Sequence, residues 1–300
     1  MSSFITRLYQ SLPIIRESNA VKNLLSANQA AVQHLIRLQQ ETYYRQLMSS
    51  PCYEDPRRLT RCEHQVCSQN GEDGIIEEIF RRIGTTNRMF VEIGVGDGIE
   101  NNSAYLLSRG WSGAWIEADS RLCERIRKLY SREILAKRLT LIEEFVTAGN
   151  AASLLAAVAM PIDIDFLSVD IDQHTYYAWA DLKAIRPRVV AVEYNASLPP
   201  GHDWCVDYRE GEQWNGTNVF GASLKAFERL GEQLGYSLVG CDLSGTNAFF
   251  VRQELCGDKF APDHSAEMHY EPPRYFLTRT SGHPKGPIGT RGVCPEGGPR

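Results

Sequence analysis

No run of about 20 apolar residues occurs in the 300 residues, so the sequence predicts no transmembrane helix. The longest apolar stretch, 154–160, ends at Pro161 and reads as the buried side of a helix. The first residues carry Arg7 but no continuous apolar core and no small-residue cleavage site. A cytoplasmic protein with no signal peptide and no membrane partner is therefore expected. The eight cysteines form no Cys-x-x-Cys and come with no paired histidine spacing, which argues against structural zinc. Free thiols in a reducing compartment are expected, including the one close pair, Cys62 and Cys67. No internal repeat is present.

Charge is small in sum and uneven in place. The formal net charge is −5, yet residues 67–271 alone carry −12, while 1–66 carry +3 and 272–300 carry +4. An acidic body does not suit binding to phosphate backbones, so no nucleic-acid partner is expected. With 43% hydrophobic and 23% charged residues, the chain has the composition of a folded protein rather than a disordered one.

Three stretches divide the sequence. Residues 1–64 read as a helical N-terminal extension and connector. Within it, Val21, Leu24, Ala31, Leu35 and Leu38 form one stripe at three- and four-residue spacing, interrupted by Asn28. A helix over 18–48 follows, packed on its own domain or on a twofold mate, so a homodimer is a possible partner arrangement. The segment 49–61 carries two prolines and reads as a link. Residues 276–300, rich in glycine and proline and basic, read as a tail draped on the body or extending from it.

Between them, 65–275 alternate strands with helices. Strands are expected at 88–93, 114–117, 139–143, 164–169, 189–192, 237–240 and 248–252. Helices are expected at 74–83, 102–109, 120–130 (with Ser120 as N-cap), 151–159, 178–185 and 223–234. Such alternation predicts an α/β fold, a mostly parallel sheet covered on both faces. The last two strands are too close for a crossover helix and must pair antiparallel.

The most informative stretch is Phe90-Val91-Glu92-Ile93-Gly94-Val95-Gly96-Asp97-Gly98, a strand running into Gly-x-Gly-x-Gly. In open parallel sheets, ligands bind beyond the carboxyl ends of strands, and glycines there let backbone touch the ligand. A dinucleotide fingerprint needs a third glycine at position 99, which is Ile99. Glu117 ends the next strand, 21 residues beyond Gly96, where a carboxylate can accept hydrogen bonds from ribose hydroxyls. Strand, glycine loop, helix, strand and acid in this order point to a nucleoside cofactor.

The segments SQNGEDGIIEEIF (68–80), FVEIGVGDGIENNSAYLL (90–107), GWSGAWIEAD (110–119), DFLSVDIDQHTYYAW (165–179), VVAVEYNAS (189–197) and GTNAFFVR (245–252) resemble FkbM-type and related class I methyltransferases that use S-adenosylmethionine (SAM). The resemblance spans roughly 65–255. It implies a Rossmann-like sheet of seven strands with an antiparallel last hairpin, and SAM as cofactor. The contacts it implies are Gln69, Glu92, Gly94, Gly96, Gly98, Asn102, Glu117, Phe145 and Asp170. Glu92 would lie near the methionyl ammonium, Phe145 or Glu144 beside the adenine, and Asp170 on the sulfonium side. The turn 68–73 would reach the methionyl carboxylate, or else simply set Glu72 and Asp73 against a helix dipole. Relatives commonly read Asp-x-Asp-Gly after strand four; here Asp172 is followed by Gln173 and His174.

The implied activity is methyl transfer, most simply to a hydroxyl of a small molecule or sugar unit. An N-methyltransferase or a non-catalytic SAM-fold binding protein are the alternatives. His174 or Asp172 could serve as base, since a histidine titrates near neutrality; His174 could equally orient the local backbone. Asp170 or Asp172 with Glu193 and Asn195 offers oxygen ligands for Mg2+, or Glu193 and Asn195 bind substrate instead. The long interval 195–225, with His202, Asp203, Trp204, Tyr208 and Trp214, reads as a substrate lid or as a loop packed on the body.

Overall fold

The computed structural model describes residues 13–277, without the side chains of 14–16. The chain divides into two units, Met1–Pro51 and Cys52–Arg300. Among the described residues the first holds one α-helix, α1 (Pro13–Met48), of 36 residues and so about 54 Å long at 1.5 Å per residue. It begins five residues before the start expected from periodicity. Among the described residues no helix is long and apolar enough to cross a membrane.

The second unit runs, in order, α2 (Glu72–Ile83), β1 (Met89–Ile93), α3 (Ala104–Ser108), β2 (Ser112–Glu117), α4 (Ser120–Leu129), α5 (Ser131–Leu135) and β3 (Leu139–Glu143). It continues α6 (Ala151–Ala157), β4 (Asp163–Val169), α7 (Thr175–Asp181), β5 (Arg186–Glu193), α8 (Leu224–Leu234), β6 (Tyr236–Cys241), β7 (Asn247–Arg252), α9 (Gln253–Cys256) and α10 (Ala266–His269). The seven strands form one sheet in the order β3-β2-β1-β4-β5-β7-β6. β7 is antiparallel to both its neighbours, so the other six strands share one direction. This is the Rossmann-like sheet with an antiparallel last hairpin that the alternation and the resemblance imply.

The inner strands are apolar runs because helices cover both faces. Phe90, Val91, Ile93, Phe166, Leu167, Val169 and Val189–192 are all fully buried. Their side chains alternate between two cores. Val91, Leu167 and Val190 pack with Trp179 and Phe227 on one face; Phe90, Phe166 and Val189 pack with Ile76, Ile79 and Phe80 on the other. Asp165, fully buried in β4, accepts bonds from the Thr86 amide and hydroxyl and from the Arg88 amide, and pairs with Arg188 at 3.4 Å. That carboxylate fixes the start of β1 against β4 and β5.

Several expected boundaries move, each for a local reason. Asp119, rather than Ser120, caps α4, its carboxylate accepting from the Arg121 amide. The helix expected at 102–109 starts only at Ala104, because the amides of Asn102 and Ser103 bond to Glu92. The helix expected at 178–185 sits earlier, at Thr175–Asp181, and tightens into a 3-10 turn over Leu182–Ala184.

Residues 52–64, expected to belong with the N-terminal extension, are part of the body. Tyr53 donates to Glu271 at 2.7 Å, Arg58 pairs with the same carboxylate at 3.5 Å, and Leu59 is buried against Gly240. Of the tail expected at 276–300, all but its first two residues lie outside the described residues. No disulfide joins the seven cysteines among the described residues.

Candidate functional site

From β1 the chain passes to β2 and β3 on one side of the sheet, then returns to β4 on the other. Such a reversal leaves a crevice at the carboxyl ends of β1 and β4. Gly94 lies at its base. Its φ is +83°, its amide donates to Ile116 O at 2.9 Å, and a Cβ there would lie 1.6 Å from Asp170 O. Only glycine lets β1 and β4 end side by side here. Gly96, at φ +64°, faces open space where a Cβ would point, and its amide donates to Glu117 Oε2 at 2.8 Å. Glu117 Oε1 accepts the Asp119 amide at 2.8 Å. The acid at the end of β2 therefore holds the glycine loop directly.

Over these strand ends lies a cleft of about 450 Å³, within the usual range for small-molecule sites. Gly94, Gly96, Glu117, Phe145, Asp170, Asp172 and His174 all line it, together with Glu144. Phe145 is 37% exposed and lines the cleft. Five lining side chains are carboxylates (Glu117, Glu144, Asp170, Asp172 and Glu212), and no lysine or arginine is among the lining residues.

Four of the expected cofactor contacts stand outside the lining. Glu92 is 2% exposed, and its carboxylate accepts from Asn101 Nδ2, the Asn102 and Ser103 amides and the Ser103 hydroxyl. Burial pushes Glu92 up to about 7, against the pull of those donors. The buried acid folds the loop 101–103 back onto β1. Asn102 is the other half of that clamp, with Nδ2 donating to Ser168 Oγ at 3.0 Å. Gly98 packs inward: a Cβ would meet Trp115, Ile126 and Tyr130 within about 3.2 Å. Gln69 is exposed, with its carbonyl accepting from Gln65 Nε2. Several amides in and before its turn are taken up, because Asp73 Oδ2 accepts those of Val66, Cys67 and Ser68, and Glu72 accepts that of Asn70.

Beyond β4 the chain turns through Asp172, at φ +52° in the left-handed region that aspartate tolerates better than most residues. Asp170, Asp172 and Glu193 bring one carboxylate oxygen each within 4.8 Å of one another. Glu193 Oε2 is buried without a hydrogen-bond partner. Burial, with Asp172 adding repulsion, pushes Asp170 up to about 6; burial and then Asp170 push Glu193 well above the usual carboxylate range. Like charges this close favour a cation or a shared proton between them. Asn195 is occupied elsewhere. Its Nδ2 donates to Asn218 O at 2.8 Å and Phe220 O at 3.0 Å, and its Oδ1 accepts the Ser197 amide at 3.1 Å.

His174 is 4% exposed, and burial lowers its pKa, so the ring is neutral near pH 7. Its Nε2 accepts the Arg209 amide at 3.5 Å, and its ring centroid lies 4.8 Å from that of Tyr208. Tyr208 Oη in turn accepts the Ala148 amide at 3.2 Å. The segment 198–221 is thus tied at one point to the turn after β4 and at another to the loop after β3. Its far part brings Glu212, Gln213 and the 47% exposed Trp214 into the lining. Trp214 carried a signal in the sequence, an aromatic in a long loop; Glu212 and Gln213 carried none beyond being its neighbours. His202, Asp203 and Trp204 stay outside the lining, Asp203 pairing with Arg229 at 3.2 Å.

No family model matches the chain, and no curated protein matches it. Solved structures do. The methyltransferase domain of bacterial CtHen1-C is 15% identical, with 59% of this chain and 94% of that chain covered and a TM-score of 0.38. The N-terminal domain of EvdMO1 with SAH bound is 13% identical, with 60% and 79% covered and a TM-score of 0.39. The mitomycin 7-O-methyltransferase MmcR is 17% identical, with 59% and 53% covered and a TM-score of 0.35, so the chain spans about half its length. Likenesses this distant assign neither family nor activity.

Proposed function

We propose that the chain is a SAM-dependent methyltransferase acting on a hydroxyl of a small molecule or sugar unit. The observation that carries the reading is the cleft over Gly94 and Gly96, with Glu117 bound to the Gly96 amide at its rim. These residues suit the group. Open space at Gly96 admits a ligand against backbone, Glu117 suits ribose hydroxyls, Phe145 offers a face for a purine, and Asp170 sits where a positive charge is favoured. Bound there, SAM supplies an electrophilic methyl on a sulfonium.

The protein's part is alignment of nucleophile with methyl, which can contribute about 7–11 kcal/mol. The lid residues Glu212, Gln213 and Trp214 close the acceptor side and limit water. Of the two candidate bases, Asp172 is exposed and lines the cleft, whereas the acceptor nitrogen of His174 already faces the Arg209 amide. A lining with five carboxylates and no lysine or arginine favours an acceptor without phosphate or carboxylate groups.

The Asp170, Asp172 and Glu193 group favours a second feature of the same reading. Three hard oxygen donors suit Mg2+, which would supply Lewis acidity toward an acceptor oxygen. Activity abolished by chelator and restored by Mg2+ supports it; activity indifferent to chelator removes it. Titration calorimetry with S-adenosylhomocysteine tests the central claim. Micromolar binding supports it, and no heat at millimolar ligand overturns it.

A further inference from the structure

Helix α1 carries a long apolar face. Val21, Leu24, Leu25, Val32, Leu35 and Leu38 are 52–64% exposed. Exposed apolar surface of this extent marks an interaction site. Set in a heptad frame, Val21, Asn28 and Leu35 fall at a positions and Leu24, Ala31 and Leu38 at d positions. Leu25 and Val32 flank that seam at e. The opposite face carries Lys22, Asn23, Gln29, Gln33, Arg37 and Gln40, with Ile36 its one large apolar side chain.

Asn28 decides what covers this face. It lies in the middle of the apolar stripe, where hydrocarbon or an apolar groove would leave its amide unpaired. A second copy of the same helix supplies a matching amide. The direction of pairing follows from the same residue. The stripe is symmetric about a point between Asn28 and Ala31, so an antiparallel pair would set Val21 against Leu38, Leu24 against Leu35, and Asn28 against Ala31. Only a parallel, in-register pair sets Asn28 against Asn28, where each side-chain amide can donate and accept. A single asparagine at an a position is a known determinant of two-stranded register.

We infer that α1 pairs with the α1 of a second copy of this chain as a parallel, in-register, two-stranded coiled coil seamed by Val21, Leu24, Asn28, Ala31, Leu35 and Leu38. The inference is independent of what the cleft binds.

Sedimentation equilibrium on the full chain tests it, with the expected mass that of two chains. A double substitution, Leu24→Glu with Leu35→Glu, places like charges at the seam and should give one-chain mass, while S-adenosylhomocysteine affinity measured by calorimetry stays as in the unaltered chain. Under mild oxidation Leu24→Cys should form a covalent two-chain species that the unaltered chain does not. Asn28→Val should relax the stoichiometry to a mixture of species. A one-chain mass for the unaltered protein overturns the inference, whether or not that protein sediments with vesicles of anionic lipid. So does a mass of three or more chains. Cross-linking that requires Cys at both 24 and 35 overturns the parallel register.

Discussion

Removing the carboxylate of Glu117 is the sharpest test of the cleft. In Glu117→Ala, Glu117 Oε2 no longer holds the Gly96 amide and Oε1 no longer holds the Asp119 amide, bonds of 2.8 Å each. Both amides lie beside the cleft and water can reach them, so the direct loss in fold stability is small. The larger loss is to the ligand, because two ribose hydroxyls would give up a charged acceptor. Hydrogen bonds to charged groups contribute about 1.5–3 kcal/mol each, so two amount to about 3–6 kcal/mol. At about 1.4 kcal/mol per decade, the dissociation constant for S-adenosylhomocysteine should rise by about 10² to 10⁴. Titration calorimetry reads the affinity, and a thermal melt on the same sample checks that the chain remains folded. A folded variant whose affinity changes by less than about threefold would refute the assignment of Glu117, since that is under 1 kcal/mol.

Three further outcomes are expected. In Gly94→Ala the added methyl meets Asp170 O at 1.6 Å on a backbone at φ +83°, so the ends of β1 and β4 must part. S-adenosylhomocysteine binding should vanish and the melting temperature fall; retained affinity would place the ligand elsewhere. In His174→Asn turnover and S-adenosylhomocysteine affinity should both stay within a fewfold, because the acceptor nitrogen of the ring already faces the Arg209 amide, and a selective fall in turnover of about 10² or more would make the ring the base instead. His269 is 2% exposed, and its burial with Arg58 nearby depresses its pKa to about 4. The unfolded chain, with a histidine near 6.5, therefore takes up the proton first as pH falls, so this contribution is full above about 6.5 and lost toward 4. Between pH 7.5 and 5 the loss is about 2 kcal/mol, and His269→Gln should flatten the urea-midpoint profile by that amount.

What was legible in the sequence follows from how far apart the interacting residues lie. Strands β1, β4 and β5 announce themselves because a strand covered on both faces must be apolar at successive positions, as in Val189-Val190-Ala191-Val192. Their ends were less clear. β5 extends back to Arg186 and Pro187 because those residues pair with Asp163 and Ile164, a register set by a neighbouring strand rather than by local composition. The glycine loop and Glu117 were legible for a related reason. Strand ends in a parallel sheet lie side by side, so residues at corresponding ends meet whatever lies between them.

Side chains beyond the strand ends obey no such rule. Glu92 has the position of a ligand contact, yet Asn101, Asn102 and Ser103 close on it, because positive φ angles at Gly94, Gly96 and Gly98 turn the loop back over β1. The partner of His174 is Arg209, 35 residues away in the long segment after β5, a pairing that no spacing indicates. Asn195 lies two residues past the last residue of β5, where strand alternation no longer governs direction, and it turns to the carbonyls of Asn218 and Phe220 while Glu193 faces Asp170.

The turn after β4 shows how a departure from a pattern can carry information. A glycine at position 173 would serve a left-handed turn, but the left-handed residue here is Asp172, so Gln173 can be buried at 6% exposure without strain. Aspartate at that place bends the chain at modest cost and also contributes a third carboxylate beside Asp170 and Glu193. The departure is Gln173 alone, which adds no charge; Asp172, which the pattern shares, supplies both the bend and the third carboxylate. Asp172→Gly separates the two contributions: the turn should persist, with S-adenosylhomocysteine affinity retained, while turnover falls. Affinity and turnover falling together would show that the Asp172 carboxylate also holds the cofactor side of the cleft.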